Sequence, residues 1–318
     1  MLRRIWEIGS AIAAETPWVH DFPEWRAALR TWTVPVAAAD SRLWCAVTGG
    51  EPIGYAEAGI PLSDNTHLVE VSVGVAAGHR RAGVGSALLE VVAGQARALD
   101  RSLLMTGFNA ALDGVGAGQA FAQERGFELA QFDIEKVVDV PAHVEDWSRL
   151  LAGIEAASAA YRIVDWVGPC PDEHLDALCA LASGFVGEIP LGDLALEDEH
   201  WDERRMREHD ARHEASGRFD LTTLAYAPDG SPAAYTTVIA QHDADYAFQD
   251  ATLVVPAHRG RRLGLRLKVL NQLALVEHFP HVVTIETGNA GDNDHMNGVN
   301  ERLGFRPVGR WLEMQRRL

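Results

Sequence analysis

The sequence predicts an α+β protein that builds one unit twice: two tandem domains, each a mixed, mostly antiparallel sheet flanked by helices. Three observations predict it. Val69, Val71, Val73 and Val75 alternate strictly through 67–76, the period of a strand, and run into a basic, glycine-bearing turn and then an apolar-periodic helix. The same succession recurs in the second half at Val254–Lys268. Each copy follows a three-strand meander and precedes a strand, a short helix, a Gly-Phe pair (Gly126-Phe127, Gly304-Phe305) and a closing strand. A period this long belongs to two domains of one fold and not to a solenoid.

The elements follow in order. Residues 3–14 and 22–32 read as helices. Thr16-Pro17 ends the first, and Asp21 with Glu24 three residues on forms a capping-box variant for the second. Trp6, Trp18, Trp25 and Trp32 crowd this stretch, as packing or as an aromatic wall. Strands at 43–48 and 53–60 flank the Gly49-Gly50-Glu-Pro turn, and 67–76 completes the meander. A helix at 83–99, a strand at 103–106, a Gly-rich loop at 113–118, a short helix at 119–125 and a strand at 127–140 close the copy. Residues 146–160, rich in Ala and Leu, read as a linking helix. The domains are therefore placed at 1–142 and 161–318, with 143–160 between them. The second copy repeats the order: strand 161–167, helix 173–186, charged helix 199–216 with a solvated face, strands 219–227, 233–241 and 246–255, helix 263–278, strand 282–287, helix 293–302 and a last strand.

The bulk numbers exclude several classes. A net charge of −17 over 318 residues argues against a nucleic-acid partner and favours cationic small molecules. Cys45, Cys170 and Cys179 are scattered and odd in number. They suit buried small hydrophobes in a reducing cytoplasm and make neither a disulfide framework nor a metal cluster, so no metal is expected. No apolar run is long enough to span a membrane, and the N-terminus lacks the pattern of a signal peptide.

A strand that delivers backbone N–H groups and a helix N-terminus to one point makes an anion site, most often for phosphate. The turns read Arg80-Arg81-Ala82-Gly83-Val84-Gly85-Ser86 and Arg259-Gly260-Arg261-Arg262-Leu263-Gly264. These residues resemble the pyrophosphate motif of the GNAT acyltransferase superfamily, Arg/Gln-x-x-Gly-x-Gly/Ala, in a tandem arrangement. The resemblance covers 40–140 and 161–316. The first copy matches fully; the second carries Arg262 where a glycine is usual. The resemblance implies acetyl-coenzyme A, or another acyl-coenzyme A, as co-substrate. It implies main-chain contacts to the pantetheine arm from Val73 and Val75 in the first copy and Leu253 and Val255 in the second. It also implies an Asn beyond the next strand, for which Asn289 and Asn293 qualify in the second copy only.

Acyl transfer to an amine needs a base for the amine proton, donors for the oxyanion and a proton for the thiolate. The family's base is commonly a carboxylate on the strand before the turn. Asp250 has the required parity there, whereas that face of the first copy is all valine and Glu70 falls on the other face unless a β-bulge shifts it. Glu286 is a second carboxylate candidate. The family's acid is often a Tyr four residues before the Gly-Phe glycine, where this chain has Ala122 and Asn300. Asn300 is left to hydrogen-bond the sulfur, with Tyr235, Tyr246 and His295 as looser substitutes. The expected activity is acetyl transfer to a primary amine of a small molecule, with the second domain catalytic. The alternatives are the first domain as catalyst, a non-catalytic acyl-coenzyme A sensor or scaffold, and a peptide or protein N-acetyltransferase. Tandem copies form a pseudo-dimer within one chain, so a monomer or a homodimer is expected.

Overall fold

A computed structural model describes residues 1–16, 23–35 and 37–318. The expectations on Pro17, Trp18 and Asp21 lie outside those residues. In chain order the elements are α1 (Leu2–Ala13), α2 (Trp25–Thr33), β1 (Ala39–Thr48), β2 (Glu51–Pro61), β3 (Leu68–Val75), α3 (Val84–Ala98), β4 (Leu103–Ala110), α4 (Ala117–Glu124), β5 (Glu128–Asp139) and α5 (Val140–Ile154). There follow β6 (Arg162–Val167), α6 (Asp172–Ser183), α7 (Glu203–Ala215), β7 (Arg218–Tyr226), β8 (Pro232–Gln241), β9 (Tyr246–Val254), α8 (Leu263–His278), β10 (Thr284–Ala290), α9 (Asp294–Arg302) and β11 (Arg306–Arg317). The fold is mixed α+β, as the alternation of strand and helix patterns implies. Helix α5 begins at Val140, earlier than expected. Pro141 sits in its first turn, where a missing N–H costs nothing, and Asp139 Oδ1 accepts from Ala142 N at 3.1 Å. Helix α7 begins at Glu203 because Asp202 caps it, its carboxylate accepting from Arg205 N at 2.8 Å.

The chain divides into two compact units that are not contiguous halves. One comprises Met1–Asp133, Leu191–Glu197 and Gly309–Leu318; the other comprises Ile134–Pro190 and Asp198–Val308. Strand order in the first unit is β1-β2-β3-β4-β11, and in the second β5-β10-β9-β8-β7-β6. Each repeat thus lends its closing strand to the other's sheet. β11 runs antiparallel to β4 from Arg310↔Ala110 to Arg317↔Leu103. The insert at 191–197 is pinned within the first unit, where Asp193 N donates to Ala130 O at 2.9 Å and Glu197 N to Asn65 Oδ1 at 2.7 Å.

Equivalent helices pack differently. On α3, Leu88, Leu89, Val92, Ala93 and Ala96 are buried against the sheet, each large side chain contributing about 1.5–3 kcal/mol. Counting from the turns, the matching residues of α8 are Leu267, Lys268, Asn271, Gln272 and Leu275, all at most 1% exposed. Asn271 Nδ2 donates to Leu221 O (2.8 Å) and Thr223 Oγ1 (3.0 Å). Among the described residues, both amide atoms of Gln272 are buried without a hydrogen-bond partner. The Lys268 ammonium lies 5.7 Å from the centre of the Phe305 ring.

Candidate active site

Both turns adopt one backbone shape. After each strand a single 3₁₀ turn leads to two left-handed residues separated by one. These are Arg81 (φ 63°) and Gly83 (φ 82°) in the first copy, and Gly260 (φ 78°) and Arg262 (φ 56°) in the second. Gly83 and Arg262 each occupy the N-cap. Arg262 therefore leaves the turn intact; the glycine has moved to the other left-handed position. The first bonds within the helices are Ala87 N to Gly83 O and Arg266 N to Arg262 O, both 3.0 Å. The preceding amides carry the N-terminal field of the helix dipole. Arg80 Nε donates to Val75 O at 3.0 Å and Arg259 Nε to Val254 O at 3.1 Å, each folding its guanidinium back over the strand end. Each is also ion-paired, Arg80 with Glu15 (2.5 Å) and Arg259 with Glu188. The Glu15 bond holds the Arg80 pKa above its ordinary value. Arg81, Ala82, Gly83, Arg261 and Arg262 are exposed, and Val84, Gly85, Ser86 and Gly264 partly so; Leu263 is buried.

The strand before each turn splays from its parallel neighbour. β3 pairs with β4 only over Leu68–Glu70, and β9 with β10 only over Tyr246–Phe248. The free edge beyond has a definite polarity. Ala76 N donates to Ile53 O at 2.9 Å, so by antiparallel alternation the peptide groups of Val73 and Val75 face away from β2, toward the open side. In the second unit Val255 N donates to Ala233 O at 2.9 Å, and Leu253 pairs with Tyr235. The main-chain groups of Leu253 and Val255 thus point at β8. This corrects their expected role: Thr252 and Val254 face the open side, because the register is one residue removed from that assumed.

Strand β9 holds a bulge that β3 lacks. Between the pairs Thr236↔Thr252 and Val238↔Gln249, β9 has an extra residue, so Asp250 and Ala251 bulge. Gln249 Nε2 donates to Thr236 Oγ1 at 3.1 Å, and Thr252 Oγ1 is 2.7 Å from the same hydroxyl, which puts Gln249 and Thr252 on one face. Ala251 and Leu253 pack with Tyr235 on the other. The β2–β3 register is unbroken, and the Glu70 carboxylate stays outward beside Gly59. Asp250 reaches solvent, yet desolvation raises its pKa, with the charge of Asp220 adding; the Ala251 backbone bond, His209 and His213 act the other way. Tyr235 is 6% exposed, and burial, then the charges of Asp250 and Glu199, raise its pKa and keep the phenol protonated.

Of the remaining candidates, Asn289, Asn293 and Asn300 are committed to other partners. Glu286 is buried on β10 opposite Phe248. Asn293 caps α9, accepting from Met296 N at 3.1 Å. Asn289 Oδ1 accepts from Lys136 Nζ (2.7 Å) and Asn300 Nδ2 (2.9 Å), and its Nδ2 donates to Asn297 Oδ1 at 2.7 Å. Asn300 is fully buried in this network, and His295 is exposed. Tyr246 sits at the start of β9, away from the bulge. Sequence reasoning passed over Arg125, which stacks on Phe121 at 4.7 Å and donates from Nε and Nη2 to Ser86 Oγ at 2.9 and 2.7 Å. It brings a further cation to the first turn. Its only signal was its place next to Gly126-Phe127.

A splayed parallel strand pair opening onto a basic turn at a helix N-terminus is present in both units. The chain matches the acetyltransferase (GNAT) family model over residues 5–127. It superposes on a tandem GNAT protein from the clavulanic acid biosynthesis pathway with TM-score 0.81 and 27% identity, covering 99% of this chain and 94% of that one. A GCN5-related N-acetyltransferase from Sphaerobacter thermophilus shares the fold (TM-score 0.64, 14% identity, 99% of this chain and 91% of that one). So does one from Kribbella flavida (TM-score 0.51, 15% identity, 82% and 86%). No curated protein sequence matches the chain. Among the described residues no helix is long and apolar enough to cross a membrane.

Proposed function

We propose that the chain transfers an acetyl group from acetyl-coenzyme A to a primary amine of a small molecule, and that the second unit is the catalyst. The observation that carries this is Asp250: a carboxylate on the bulge of the strand that splays and then enters the phosphate-type turn. In this reading Asp250 takes the ammonium proton and frees the nitrogen lone pair to attack the thioester carbonyl. The bulge breaks the β8–β9 ladder and leaves main-chain groups for the oxyanion. Peptide groups of Thr252 and Val254 bind the pantetheine arm, and the turn binds the pyrophosphate. Tyr235, kept protonated and coupled to Asp250, is the phenol suited to protonating the thiolate in place of the buried Asn300. The first unit, with Arg81, Gly83 and Arg125 but no carboxylate on its inner strand face, binds coenzyme A without turnover. The acidic balance of the chain favours a cationic acceptor.

The commitment of Asn300 to a buried network favours a second reading, an acyl-coenzyme A sensor. Thiol release with small-molecule amines and peptides separates the two. Asp250→Asn is expected to lower turnover more than about tenfold with unchanged acetyl-coenzyme A affinity. Arg262→Glu is expected to abolish turnover and Gly83→Glu to spare it. The reverse pattern moves catalysis to the first unit, and tight binding with no turnover on any acceptor supports the sensor.

A further inference from the structure

We propose that His209, His213 and Asp220 form a site for one divalent transition-metal ion of the zinc, cobalt or nickel type. His209 and His213 lie one turn apart on α7, a spacing that brings side chains to the same helix face. Asp220, near the start of β7, faces both. Its Oδ2 is 2.8 Å from His209 Nε2 and its Oδ1 2.7 Å from His213 Nδ1. All three donor atoms fall within 4.8 Å of one another. The imidazole centres are 4.0 Å apart, and Trp201 packs edge-on to His209 at 5.7 Å, which fixes the ring.

Two nitrogens and a carboxylate oxygen are the donors of borderline metals, whose bonds of roughly 2.0–2.2 Å bring ligand atoms about 3 Å apart. The side chains are only 22%, 12% and 14% exposed, so water competes weakly for them. His213 and Asp220 also line a cavity of about 260 Å³, which leaves a coordination position open on that side. Arg218 on the same wall suits water or an anionic ligand at that position. None of the three cysteines takes part, so cysteine spacing carried no sign of the site. The sequence signal is the His-x-x-x-His pair inside a charged run that reads as solvated.

The test uses the full chain, stripped with EDTA and titrated with Co²⁺ and then Zn²⁺. The expected result is saturable binding at one ion per chain, visible absorption from nitrogen-ligated Co²⁺, and a Tm that rises with Zn²⁺. His242→Ala, which alters the cavity but not the cluster, retains binding. His209→Gln and His213→Gln keep hydrogen-bonding capacity and helix content and are expected to lose at least about tenfold in affinity. The absence of saturable Co²⁺ binding by the folded wild-type chain overturns the proposal. So does binding that persists unchanged in the folded His209→Gln/His213→Gln double variant.

Discussion

Asp250, the proposed base, reaches solvent and is held above the ordinary carboxylate pKa by desolvation and then by the charge of Asp220. Raising a carboxyl's pKa extends its neutral form to higher pH, so a rate that needs the carboxylate rises through that raised value. The acid limb of kcat/KM is therefore expected above pH ~4, the usual aspartate range, and absent from the residual activity of Asp250→Asn. A limb in the ordinary range, or one that survives the substitution, counts against Asp250. The turns teach a related lesson at the same scale. Only the first glycine of the motif falls at a left-handed position, since Gly85 and Gly264 lie inside the helices; the turn has two such positions, 81/260 and 83/262, and either one tolerates arginine at a cost of about 1–2 kcal/mol. Arg81 and Arg262 occupy opposite members of the two pairs, so the departure at Arg262 that stands out in the sequence leaves no mark on the backbone.

Helices α3 and α8 match in position, and the limits of α8 agree with its apolar periodicity, but one rests on Leu89, Val92 and Ala93 and the other on Lys268, Asn271 and Gln272. Periodicity locates a helix from its leucines; it cannot show that three polar residues between them are also buried. Nor did alternation reveal the β9 bulge, which appears only when the partner strand's register is known. Burial, with Lys136 alongside, pushes Lys268 down to about 7. The unfolded chain holds that proton to about pH 10, so the charged form penalises folding most below pH 7, and the penalty fades as pH rises toward 10. Lys268→Leu, which copies Leu89, is expected to gain about 2 kcal/mol at pH 6, several degrees in Tm, with the gain shrinking by pH 9. A gain that is constant with pH assigns the effect to packing instead.

For the molecule as a whole, the repeat of element order was legible in the sequence, but the ownership of the closing strands was not. Residues 128–139 and 306–317 follow the same Gly-Phe signal, and nothing in either strand's own composition names the sheet it joins; that choice is non-local. The seam expected at 142 accordingly becomes an exchange, with Ile134–Asp139 in the second unit and Gly309–Leu318 in the first. In the first unit Met314 is fully buried, and Arg310 donates to Ala111 O and Gly114 O, both at 2.8 Å. Deleting 309–318 is therefore expected to expose the edge of β4 far from the cut in sequence. Hydrogen exchange read by mass spectrometry is expected to speed up by more than about tenfold across Leu103–Ala110, while the β7–β8 ladder keeps its protection. Loss of protection confined to the second unit contradicts the exchange.

That exchange also sets an order of events at the ribosome. Domains usually fold as they emerge, the N-terminal one first. Here the strand that the second unit borrows is already made when the rest of that unit is translated, whereas the first unit lacks a strand until Gly309–Leu318 has been made. The unit that is synthesised first is the one completed last, so a nascent chain cut short at almost any point displays an open sheet edge to the cell's quality-control machinery.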